Sequence, residues 1–178
     1  MLTVLAALAL QAAAPPPPAP AAPAAPPTPA AAVPAPDAAA DQAVRAATRD
    51  FLDARDEGRY DQAWAMLSPA GQARRPHDPW VAAARDFNAQ AGALRGRRIT
   101  AVSWLENPGG LAGIFGVVEY DGDYAELVFL CGIVIWERQP DGGWRVLREV
   151  THGARRADAP NATPEQIAEG RRQNQCRD

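Results

Sequence analysis

The chain has 178 residues, 47% of them hydrophobic and 22% charged, with a formal net charge of -3. That length accommodates one ordinary domain and falls short of two, and the mildly acidic balance gives no electrostatic reason to expect nucleic acid or an anionic membrane surface as a partner. All 18 basic residues are arginine, which excludes Schiff-base and P-loop lysine chemistry.

At the N-terminus, Leu2, Val4, Leu5, Leu8 and Leu10 form an uncharged apolar run that closes on Ala12, Ala13 and Ala14. The run is too short to span a bilayer, so no transmembrane helix is expected. It matches the apolar region and small-residue cleavage site of a signal peptide over residues 1–14. No arginine precedes it, leaving the terminal amine as the early positive charge. Residues 15–40 read as a Pro/Ala-rich spacer, since 15–36 alone carry 11 prolines and 9 alanines. Such a segment cannot build a core and prefers polyproline II, which gives about 70 Å of reach at full extension. The expected location is periplasmic or secreted.

A globular domain is expected over residues 41–152, because all 12 aromatic residues fall between Phe51 and Trp144. Val44, Ala47, Phe51 and Leu52 share one helical face, and Gly58 offers a stop to a first helix that runs to about Glu57. A short second helix is expected from a cap at Asp61 to a stop at Pro69, with Tyr60, Trp64 and Leu67 as its apolar side. The stretch PAGQARRPHDP reads as a loop. Asp78, with Pro79 after it, is predicted to open a third helix carrying Trp80, Ala84, Phe87, Ala91 and Leu94.

After Gly96 the period changes to two. Four runs, about 97–105, 111–121, 124–138 and 144–150, are separated by turn signals at Asn107–Gly110, Asp121–Asp123 and Gln139–Gly143. The order predicts an α+β fold of cone-like shape: three N-terminal helices packed on a curved four-stranded antiparallel sheet, plus a short C-terminal helix within a tail over 153–178. The third strand is apolar on both sides. Leu127, Phe129, Cys131, Ile133 and Ile135 face one way, and Val128, Leu130, Val134 and Trp136 the other. Something must therefore cover the second face, either the tail or a second copy.

The opening ATRDFLDARDEGRYDQAWAMLSP, from Ala47 to Pro69, and the closing GGWRVLRE, from Gly142 to Glu149, resemble the nuclear transport factor 2-like, or SnoaL-like, superfamily. The likeness covers about residues 41–152 and is closest to small exported bacterial members of unknown function. It departs from the usual pattern between the second and third helices, where many members place a short strand. The resemblance implies a curved sheet wrapped on helices, a cavity inside the cone and dimerisation through the sheet. It implies no particular activity, because the superfamily includes isomerases, dehydratases, epoxide hydrolases and non-catalytic members.

Chemistry-bearing residues are few. Asp86 and Tyr120 are the candidate catalytic residues, with Glu119, Asp123 and Tyr124 nearby in sequence and Trp64 or Trp80 as an apolar wall that would raise a carboxyl pKa. Asp121-Gly122-Asp123 is itself better read as a turn. Trp64, Trp80, Tyr120 and Tyr124 are the candidate ligand-binding residues, with ordinary core packing as the alternative. His77 and His152 lack ligand-spaced companions, so no metal site is expected, and no cofactor is implied. Arg74-Arg75 and Arg97-Arg98 read either as a small anion-binding patch or as solvated arginines. Thr163-Pro164-Glu165-Gln166 reads as a capping box in preference to a glycosylation acceptor at Asn161. In an oxidising compartment Cys131 and Cys176 can pair across the second sheet face, the alternative being a buried thiol at Cys131 and an unpaired Cys176.

The reading that follows is an exported, non-enzymatic module that binds a small apolar ligand or an envelope protein. The alternatives are a small hydrolase, isomerase or dehydratase of the SnoaL-like type, and a structural homodimer without ligand.

Overall fold

The computed structural model describes residues 37–177. The signal-like segment and all but the last four residues of the spacer lie outside the described residues. Helix α1 (Ala38–Asp56) is capped by the Asp37 carboxylate, which accepts from the Ala40 amide at 2.7 Å. It therefore starts three residues before the expected Asp41. Val44, Thr48, Phe51, Leu52 and Arg55 form its buried stripe. Helix α2 (Tyr60–Ala65) follows after Gly58, which takes the positive φ of 77° that a glycine adopts without strain.

The stretch expected as a loop contains a further short helix, α3 (Pro69–Arg74). Ser68 caps it by accepting from the Gly71 amide at 3.1 Å, and Pro69 stands in its first turn. Proline there starts a helix as readily as it ends one, which is why it misleads as a stop signal. Helix α4 (His77–Ala91) opens at His77, and Asp78 lies inside its first turn instead of capping it.

Strands β1 (Leu94–Glu106), β2 (Ile114–Tyr124), β3 (Leu127–Arg138) and β4 (Trp144–Arg155) form one antiparallel sheet in the order β1-β2-β3-β4. This is the α+β architecture expected, closed by the short helix α5 (Pro164–Gln173), whose Thr163 and Gln166 form a complete capping box. The second hairpin turns at Ala125-Glu126, and Asp121-Gly122-Asp123 remains within β2. The reason is steric. A Cβ at Gly122 would stand 2.6 Å from the Tyr124 ring, so glycine is what lets that ring fold back into the core. The Ala125 and Glu126 amides then donate to the carbonyls of Ala93 and Ala91, both at 2.9 Å, which ties the turn to the end of α4.

The core fills the concave side of the sheet with Phe51, Leu52, Trp80, Trp104, Val118, Val134, Trp136 and Val146. Phe51 meets Trp136 edge-on with centroids 6.3 Å apart. Within this core Trp136 Nε1 donates to Thr48 Oγ1 of α1 at 2.7 Å, and that hydroxyl donates to the Val44 carbonyl at 2.7 Å, whereas the buried Nε1 of Trp104 has no partner among the described residues. A buried indole N–H without such a partner would cost about 1–3 kcal/mol. A register shift between Leu127 and Phe129 turns Leu127 into this core, away from the face of Phe129 and Cys131 that strict alternation predicts.

On the convex side, α5 packs on β3 and the tail is tied down by a disulfide between Cys131 and Cys176. Arg177 and Arg171 reach back to Glu119 (2.6 Å) and Asp121 (3.3 Å) on β2.

Candidate functional site

The apolar stripe of α1 ends in a charge. Arg55 occurs one turn after Phe51 and Leu52, so the helical period that buries those residues carries its guanidinium into the cone, where only 3% of the residue is exposed. A charge so placed must be paired. Arg55 Nη1 donates to Glu149 Oε1 on β4, Nε donates to Asp56 Oδ1 at 2.9 Å, and Nη2 donates to the Tyr124 hydroxyl at 3.2 Å. Its flat face lies 4.6 Å from the centroid of Phe87, which adds a cation–π contact.

The same carboxylates gather the rest. The Tyr120 hydroxyl donates to Glu149 Oε1 at 2.7 Å, and the Tyr124 hydroxyl donates to Asp56 Oδ2 at 2.6 Å. Arg97 of β1 closes the far end on Asp53 (2.6 Å) and Asp56. The floor of the cone is therefore a relay of two arginines, three carboxylates and two phenols.

Burial is the largest influence on the titration of the two phenols and of Arg55. It pushes the Tyr120 hydroxyl well above its ordinary range, reinforced by Glu149 and opposed by Arg55. It moves Tyr124 up to about 12, partly opposed by Arg55 and reinforced by Asp56. Both stay phenols and act as donors. Burial would by itself weaken Arg55's hold on its proton, but Glu149, Tyr120 and Asp56 outweigh it, so the guanidinium is held charged more firmly than usual.

Beside this relay, a cleft of about 460 Å³ opens between α3, the start of α4 and β4, walled by Trp80, Leu67 and Phe51 and edged by Arg74 and Arg75. It shares Arg75, Trp80, Glu149 and Thr151 with a smaller hollow of about 150 Å³ that reaches Arg55 and Phe87. A third space of about 190 Å³ continues from Phe87 and Thr151 past Gln90 and Gly153 to Arg155. Together they make one groove along β4. Among the described residues Glu149 is its only acidic lining residue, and both hydrogen bonds it receives fall on Oε1.

Residues 47–148 match the model of a family described as a protein of unknown function, DUF4019. The chain belongs to the DUF4019 family. Comparison with curated proteins gives no match. The DUF4019 span runs from the second half of α1 into β4 and ends one residue before Glu149.

Within this DUF4019 chain the residues singled out from sequence separate into three places. Tyr120 and Tyr124, each 1% exposed, meet through the Arg55 relay. Trp80 stands in the groove wall. Trp64 is half-buried at the junction of α2 and α4, where its Nε1 donates to the Arg75 carbonyl at 3.3 Å and its ring meets His77 edge-on at 5.1 Å. Asp86 is exposed on α4 and is not joined to Tyr120, whose hydroxyl is given to Glu149. The hollow is thus charged at its floor, where Tyr120 and Tyr124 were expected to face a small apolar ligand. Among the described residues no cluster of three or more His, Cys, Asp or Glu side chains could hold a metal ion. His77 bridges two carboxylates, Asp78 at 2.8 Å and Asp61 at 2.9 Å.

Sequence reasoning missed Arg55, Asp56 and Glu149, and it read Arg97 as part of an anion-binding patch or as solvated, whereas its side chain is largely buried and paired with Asp53 and Asp56. The signal for Arg55 was present, since Val44, Thr48, Phe51 and Arg55 repeat at one helical spacing. Glu149 was hidden by the irregularity between Ile135 and Trp136, which shifts the register of β4 against β3.

Proposed function

We propose that this chain is an exported, non-catalytic binding module that takes its ligand in the groove along β4. The observation that carries the reading is the pairing of an apolar wall, Trp80 and Phe51, with Arg74 and Arg75, neither of which has an acidic partner among the described residues. Binding is favoured over catalysis because the one carboxylate in the groove already accepts from Arg55 and Tyr120, while the phenols are held protonated by burial. A general base needs a proton acceptor free to move toward its substrate. Trp80 is the ligand residue of the four expected, and Tyr120, Tyr124 and Trp64 serve the fold.

Export is supported by the apolar run before Ala14, the Pro/Ala-rich spacer up to residue 40 and the Cys131–Cys176 bond, which persists in oxidising compartments. Among the described residues no helix is long and apolar enough to cross a membrane. We read the domain, over about residues 41–152, as a nuclear transport factor 2-like cone on the order of its elements. A second reading, a homodimer through the sheet, is favoured by the half-buried Ile133 and Ile135 on the convex face.

The test uses 8-anilinonaphthalene-1-sulfonate, an apolar anion whose fluorescence reports burial. It is expected to bind the folded protein saturably, at least tenfold more weakly in the Arg74→Glu/Arg75→Glu variant, and to shift amides along β4. No binding, or binding indifferent to that double substitution, overturns the reading.

A further inference from the structure

The groove runs along a sheet edge. β4 is the last strand of the order β1-β2-β3-β4, so one side of its backbone faces away from the sheet. At its beginning that side is already used. Leu67 pairs with Val146 in a parallel bridge, the Ser68 amide donating to the Val146 carbonyl at 2.8 Å and the Val146 amide donating to the Met66 carbonyl at 2.9 Å. The chain then turns into α3, whose Gly71 packs against the carbonyls of Val146 and Leu147 without pairing with them. From Leu147 to Ala154, no backbone group outside the sheet pairs with β4 among the described residues. Thr151, His152 and Gly153 are exposed.

Beyond the end of that short pairing lies the groove, bounded on its far side by α4 instead of by another strand. From Leu147 to Ala154 it offers about 25 Å at the rise of a strand, the length of roughly eight residues. An unpaired edge of this kind is a template for a further strand. Its walls discriminate among strands. Trp80, Ala84 and Phe87 on α4 would meet every second side chain of an added strand with apolar surface. Arg148, next to Glu149 on β4 and so on the opposite face, would meet the others with positive charge, and Arg74 and Arg75 add to it at the groove's edge; no described acid neutralises any of the three.

We infer that the occupant of the groove is an extended segment of another protein, acidic and apolar residues alternating, which joins the edge of β4 by main-chain hydrogen bonds and continues the parallel pairing begun by Met66–Ser68. This rests on the groove being the binding site. It commits to strand addition as the mode and to an acidic polypeptide as the partner class. The chain's own Pro/Ala-rich stretch is a poor occupant, because proline has no amide to donate to a ladder.

The experiment presents the full disulfide-bonded chain with two pooled libraries of capped nine-residue peptides. One alternates Asp or Glu with Val, Ile, Thr or Ala, and the other has Arg in place of the acids. The acidic pool is expected to be retained at least tenfold over the basic pool. The best retained peptide is expected to lose at least tenfold in affinity when alternate backbone amides are N-methylated, and to shift the amides of residues 147–154. Equal retention of both pools, no retention of either, or indifference to N-methylation in both alternating registers overturns the inference. If the peptides fail while 8-anilinonaphthalene-1-sulfonate still binds in an Arg74/Arg75-dependent way, strand addition falls and the groove stands. If the fluorophore fails as well, both fall.

Discussion

Replacing Arg55 by methionine keeps most of the side-chain volume and removes the charge, which isolates what the guanidinium does. Its side chain is 4% exposed, and those of its partners Asp56 and Glu149 are 6% and 16% exposed. Removing one partner of a buried ion pair costs about 3–5 kcal/mol, most of it from the charges left behind. Here Arg97 still neutralises Asp56 and the groove lets water reach Glu149, so the expected loss lies at the lower end, about 3 kcal/mol. With a urea slope of about 2 kcal/mol per molar, the midpoint of equilibrium unfolding should fall by about 1.5 M. A double-mutant cycle with Glu149→Gln should return a coupling of at least about 1 kcal/mol, since the two side chains are in direct contact. A loss below about 1 kcal/mol, or no coupling, would mean that the relay is solvated and that the closed floor of the cone is wrong.

The remaining expectations are simpler. Gly71→Ala places a Cβ 2.7 Å from the Val146 carbonyl oxygen and 3.2 Å from that of Leu147. It should push α3 off β4 at a cost of about 1–3 kcal/mol, read as a melting temperature lower by at least about 3 °C. The Asp78 and then the Asp61 hydrogen bonds raise the His77 pKa above its ordinary value near 6.5. The folded value therefore exceeds the unfolded one, so the contribution is complete below about pH 6.5 and disappears as pH rises through the raised folded value. The stability difference between the natural chain and His77→Gln should shrink over that window, with an NMR titration midpoint for His77 above 6.5. Reduction of Cys131–Cys176, which are 45 residues apart, should destabilise the fold by about 4 kcal/mol in the loop-entropy account, measured by thermal unfolding with and without reductant. An unchanged transition would remove the tail from the list of stabilising elements.

Periodicity carried the architecture. The α1 stripe, the change to period two after Gly96 and the Thr163 capping box were legible because each depends on neighbours close in sequence. The features that escaped depend on partners far away. Whether Pro69 ends one helix or starts the next is decided by Ser68 and by the fit of Gly71 against β4. Whether Asp121-Gly122-Asp123 turns is decided by the room that Gly122 leaves for Tyr124. The candidate site shows the same division. The placing of Trp80 on the inward face of its helix follows from helical spacing, whereas Glu149 reaches Arg55 across 94 residues and a register shift, and no local pattern encodes that meeting. Asp86 carries the right functional group on the wrong side of its helix, the side left to solvent.

Amide hydrogen exchange, resolved residue by residue in the free protein, tests most directly whether β4 carries an open edge. The account requires alternate amides between Leu147 and Ala154 to exchange as solvent-exposed groups do, while the amides of β3, paired on both sides, exchange only through global unfolding. Uniform protection of every β4 amide in that stretch would mean the edge is already occupied, and would contradict it.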